Sequence, residues 1–161
     1  MPHRSARQTR LIAIAALTLA LFTAPTLQAQ SASQAAGTQP PTLRGPMAQI
    51  AWLAGRWVGS GGSYSAFYEE YRVLNDTTLE QREVDDAAFT QQRSNGVFTV
   101  RDGQIVKLNA RGEVTTRITV VADTVSFAST TPGRGSYRWI RTGPTTWRAE
   151  LARVTYELRR P

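Results

Sequence analysis

From Gly55 onward the apolar residues fall largely at every second position in short runs, and turn-forming pairs break these runs every several residues. A period of two belongs to strands, whose successive side chains point to opposite faces. Asn75-Asp76, Asp102-Gly103, Ala122-Asp123 and Ala152-Arg153 each separate two such runs. This predicts consecutive antiparallel hairpins, a meander. Around Ala122-Asp123, Ile118 meets Phe127 and Val120 meets Val125 on one face, while Thr119 meets Ser126 and Arg117 meets Ala128 on the other. Around Ala152-Arg153, Leu151 meets Val154, Ala149 meets Tyr156 and Trp147 meets Leu158. Arg148 with Glu157 and Glu150 with Thr155 lie outside. Such a split pins a hairpin to one register, because a slip of one residue would turn every apolar side chain outward. Asp102-Gly103 sets Val100 against Ile105 and Phe98 against Lys107. Asn75-Asp76, taken as a two-residue turn, sets Tyr71 against Glu80 and Glu69 against Arg82. Both faces of that hairpin are mixed. Residues 130–135 (Thr-Thr-Pro-Gly-Arg-Gly) form a loop.

The stretch before these hairpins organises them. Gly45-Pro46 opens a short helical turn, with Ile50, Trp52 and Leu53 on its apolar side and Gly55 as its C-terminal cap. A turn this short is unstable alone and must pack on something. Gly55, Trp57, Gly59 and Gly61 then share one face of the first strand. That face carries a single indole and glycines, which suits a ring plugging one end of a barrel with room above it. The expected fold is all-β: an antiparallel up-and-down β-barrel of about eight to ten strands, capped at one end by the helical turn.

Composition adds a destination. Arg4, Arg7 and Arg10 precede an apolar run from Leu11 to Phe22, and Leu27-Gln28-Ala29 offers a cleavage site. The run is shorter than the about 20 residues that cross a bilayer. Residues 1–29 are therefore expected to be a cleaved signal peptide, 30–45 a flexible linker and 46–161 the barrel. The protein is expected to be exported, to the periplasm or outside the cell, with no membrane span after cleavage. The chain has no cysteine, and its one histidine, His3, lies in the signal. Disulfides, thiolate sites and histidine or cysteine catalysis are excluded from the mature chain. Of 19 basic residues, 19 less three remain after cleavage, so 16 face 12 acidic ones. Only Lys107 is a lysine. The arginines are scattered among acids and lack the clustering that nucleic acid requires, so no nucleic-acid partner is expected.

The helical turn, Gly55-x-Trp57 and the hairpins that follow resemble the calycin superfamily of lipocalins and fatty-acid-binding proteins. Trp52-Leu53-Ala54-Gly55-Arg56-Trp57-Val58-Gly59-Ser60-Gly61 with Tyr68-Glu69-Glu70 is similar to nitrobindin-like barrels and to small secreted bacterial lipocalin-like domains of uncharacterised function. The resemblance implies that Trp57 closes one end under an arginine of the last strand, Arg160, or Arg159 if the register slips by one. Nitrobindin-like barrels hold haem through a histidine that this chain lacks, so no cofactor and no metal are expected.

Three functions fit. A binding barrel would hold a small apolar or amphipathic ligand, with Glu69, Tyr71, Glu80, Arg82 and Trp139 as candidate contacts. A solid-packed barrel would act through its surface as an envelope-associated interaction module. An enzyme would need carboxylate or tyrosine chemistry, such as Glu69 with Tyr71, and no catalytic residue is assigned; Asp85-Asp86 are adjacent, fall in a loop and make a poor dyad. An interior cavity of about 300 Å³ or more with converging polar groups separates the first reading from the second.

Overall fold

A computed structural model describes residues 40–161. The expected signal, 1–29, and most of the expected linker, 30–39, lie outside the described residues. Within the remaining linker segment, Leu43 is buried in the core, and the Arg44 amide donates to the Asp76 carbonyl at 2.7 Å.

A 3-10 helix, Gly45–Leu53, is followed by ten strands. They are β1 (Gly55–Gly61), β2 (Tyr64–Asn75), β3 (Thr78–Val84), β4 (Gln92–Arg101), β5 (Gln104–Leu108), β6 (Val114–Val121), β7 (Thr124–Ser129), β8 (Tyr137–Arg141), β9 (Thr146–Leu151) and β10 (Val154–Arg159). Every neighbour in the sheet is the next strand in sequence, and β10 pairs with β1, so the meander closes into an antiparallel barrel. Closure leaves no free strand edge.

Met47, Ile50 and Leu53 of the helix are fully buried and join the core at one end of the barrel. Trp52, expected on this buried side, is only partly buried and packs edge-on to Trp147. Gly55 is not the helix cap; Ala54 is, and Gly55 opens β1. Its φ of 112° suits glycine, and a β-carbon there would collide with the Arg160 guanidinium. The room expected above Trp57 is not empty at Gly59 either. A β-carbon on Gly59 would strike the Phe67 ring, which fills the space that the missing side chain leaves.

Three hairpins keep the expected cross-strand pairs, among them Phe98 with Lys107, Ile118 with Phe127 and Trp147 with Leu158. The β2–β3 hairpin does not. An irregularity between Val73 and Asn75 takes one residue out of register, so Tyr71 faces Gln81 and Glu69 faces Glu83. The turn is Asp76-Thr77 rather than Asn75-Asp76, and the Asn75 side chain accepts from the Thr77 amide at 3.0 Å. A bulge of this kind re-aims one strand's whole alternation. It places Leu79 and Gln81 inside, 0% and 3% exposed, and turns Glu80 and Arg82 to the outer face.

Candidate functional site

The barrel interior is divided. The half near the helix is packed by Trp57, Tyr71, Leu79, Phe98, Val125 and Leu53. The half away from it holds a cavity of about 570 Å³. Its two walls differ in chemistry. Strands β8, β9 and β10 supply Trp139, Trp147, Ala149 and Leu158, whereas β2, β3 and β5 supply Glu69, Gln81, Glu83 and Lys107. Tyr64, Asp85, Arg93 and Leu151 also line it, and Tyr64 is 58% exposed, which marks the rim. Trp139 lies 5.0 Å from Trp147 and 4.4 Å from Phe127 between ring centroids, so the apolar wall is a packed aromatic array.

The polar wall is a directed chain of hydrogen bonds. Lys107 Nζ donates to Gln81 Oε1 at 2.7 Å. Gln81 Nε2 donates to the Tyr71 hydroxyl at 3.1 Å, with a longer 3.3 Å contact to Glu69 Oε1. Tyr71 donates in turn to Glu69 Oε2 at 2.6 Å. Lysine ammonium can only donate, so it sets the direction, and each bond strengthens the next in this low-dielectric interior. Asn95 Nδ2 holds Glu83 at 2.8 Å on the same side.

Burial dominates the ionisation of this group. It raises the Glu69 carboxyl, against the opposing pull of the Tyr71 hydrogen bond and the Lys107 charge. Burial, then the charge of Glu69, holds the Tyr71 phenol well above its ordinary value. Burial lowers the Lys107 ammonium, against Glu69 and Glu83. Burial, with Glu69 second, pushes Tyr137 up to about 12. Each shift favours the uncharged form, the usual consequence of taking a group out of water.

The five candidate contacts are thus split by the fold. Glu69 and Trp139 line the cavity. Tyr71 stands behind Glu69, 1% exposed and bonded to it. Glu80 and Arg82 do not line it. They pair with each other on the outer face at 2.8 Å, and Arg82 also bonds Gln92. The register shift in β2–β3 is the reason. Gln81, Glu83, Lys107, Tyr137 and Trp147 were not among the candidates. Lys107 alone had a legible signal: it is a charge placed opposite Phe98, on the face that Val100 and Ile105 share, in the Asp102-Gly103 hairpin.

At the other end the Arg160 guanidinium lies 3.8 Å from the Trp57 ring centroid. Its Nη2 donates to the carbonyls of Ala54 at 2.8 Å and Trp52 at 3.1 Å, and the Trp57 indole donates to Leu53 at 2.6 Å. This cluster ties the helix to both the first and the last strand.

Among the described residues, no group of three or more acidic or histidine side chains could hold a metal ion, and no helix is long and apolar enough to cross a membrane. No protein-family model matches the chain, and no curated protein matches it.

Proposed function

We propose that this is an exported, lipocalin-like binding barrel that takes a small amphipathic molecule into the cavity between its two unlike walls. The observation that carries this reading is the 570 Å³ space with aromatic side chains on one side and the Lys107–Gln81–Tyr71–Glu69 chain on the other. Binding sites have this volume and this mixture of apolar wall and few placed polar groups. The ligand's ring or alkyl body would lie on Trp139 and Trp147, with a hydrogen-bonding end at Gln81, Glu69 or Lys107. Two carboxyl groups face one amine there, which disfavours an anionic end. A cavity of this size weighs against the solid-packed surface module.

The test is a titration with the neutral fluorophore N-phenyl-naphthylamine. Wild-type protein should enhance its emission saturably, and Ala149→Trp, which fills the cavity from β9, should abolish the enhancement while keeping the β circular dichroism. Equal enhancement by both proteins, or none by the wild type, would overturn the reading.

A further inference from the structure

The only lysine in the chain stands inside the barrel, on the wall of the cavity. A solvent-exposed role would put lysine on the outer face, where long charged side chains sit at little cost. The fold instead makes room for it within. Gly96 of β4 has no side chain, and a β-carbon there would lie 2.6 Å from Lys107 Cε and 2.8 Å from the Leu108 carbonyl. The lysine stem therefore runs across the glycine. Phe98 lies beside it, 5.5 Å from Nζ to ring centroid, and the Gln81 amide oxygen holds the nitrogen at 2.7 Å. A positioned amine in an aromatic-walled cavity, with carboxyl groups of β2 and β3 on the same polar wall, is the arrangement that carbonyl condensation needs.

We propose that Lys107 captures aldehydes: the carbonyl carbon of a ligand in the cavity condenses with Nζ to form an imine. The nitrogen lone pair forms the new C–N bond as the carbonyl π bond breaks, and the oxygen takes a proton to give a carbinolamine. Loss of that oxygen as water, with the two amine hydrogens, leaves C=N. No oxidant or reductant is consumed. Glu69, within the same hydrogen-bond chain, and Glu83 are the groups placed to move the proton and to balance the cationic imine. The lowered ammonium value of Lys107 supports this by raising the fraction of neutral amine. The inference rests on the cavity being a ligand site.

The full chain should be incubated at neutral pH with naphthaldehyde and sodium cyanoborohydride, which reduces the imine to a stable amine. Intact mass and peptide mapping then report the label. Apart from the α-amine, Lys107 is the only aliphatic amine present. It should label at least about tenfold faster than the α-amine, a small part of what positioning can supply. That preference should vanish in urea, and Lys107→Arg should carry no barrel label. Labelling of Lys107 no faster in the folded chain than in urea would overturn the proposal. Naphthylmethanol, which has the same ring and forms no imine, separates the two readings by quenching of tryptophan fluorescence. Quenching by the alcohol without aldehyde capture sinks only the covalent step, whereas failure of both sinks the binding site as well.

Discussion

Gln81 stands opposite Tyr71 across β2 and β3 and donates its amide to the tyrosine hydroxyl at 3.1 Å. Both side chains are almost wholly buried. The pair joins two ionisable groups that are far apart in sequence, Lys107 on one side and Glu69 on the other. A buried polar group left without its partner costs about 1–3 kcal/mol. The four side chains therefore stand or fall together, and their titration should be visible from outside.

Glu69 makes stability depend on pH in a predictable direction. In the folded chain its carboxyl titrates above the 4.5 of an unperturbed glutamate. Between the two values the folded state holds a proton that the unfolded state has lost. The stabilising contribution is thus complete below about pH 4.5 and disappears as pH rises through the folded value. Glu69→Gln should flatten that falling limb and leave the protein at least as stable at neutral pH. Urea unfolding followed by tryptophan fluorescence across a pH series measures it; a limb as steep as the wild type's would show that Glu69 is not its source.

Two tyrosines should ionise late. Of the five in the chain, Tyr71 is held well above 10 and Tyr137 is pushed up to about 12. Absorbance near the phenolate band should therefore keep a fraction that ionises only well above pH 10. Tyr137→Phe and Tyr71→Phe should each remove part of it. A phenolate signal already complete near pH 10 would contradict the enclosed positions of both rings.

The closed end should be the costliest to disturb. Trp57 is 1% exposed, and Trp57→Ala should lower the unfolding free energy by about 3–5 kcal/mol. Arg160→Met keeps the apolar stem but loses the carbonyl contacts and the charge over the ring, and should cost about 1–3 kcal/mol. Chemical denaturation gives both. A loss under about 1 kcal/mol for Trp57→Ala would mean that the ring does not plug the core.

Outer and inner neighbours on β3 should behave oppositely. The partly exposed Glu80–Arg82 pair is worth about 1 kcal/mol or less, so the double change to alanine should leave N-phenyl-naphthylamine affinity within about twofold, a few tenths of a kcal/mol. Gln81→Leu strips Tyr71 and Lys107 of a partner, and should cost about 1–3 kcal/mol of stability as well as altering that affinity. Equal effects from both would argue for the unshifted register.

The β2–β3 hairpin shows where the sequence stops being legible. A two-residue turn at Asn75-Asp76 is sound turn chemistry, and it produces complementary Glu69–Arg82 and Tyr71–Glu80 pairs. The structure instead matches Val73 with Leu79, two apolar residues that the unshifted register separates. Burying Leu79 outweighs a partly exposed ion pair, since apolar burial contributes about 1.5–3 kcal/mol per such side chain and the pair about 1 kcal/mol or less. That comparison was available in the sequence. The irregularity that realises it was not, because an extra residue in a strand leaves no mark on local propensity.

Alternation and turn residues by themselves determined the meander, the registers of three hairpins and the placement of Trp57 at the start of the first strand. These are local properties, set by backbone sterics and by which side of a strand is apolar. The filling of Gly59 by Phe67 and the meeting of Glu69, Tyr71, Gln81 and Lys107 were decided only in the tertiary structure. Each depends on register summed across several strands, where a shift of one residue exchanges the inside of the wall for the outside.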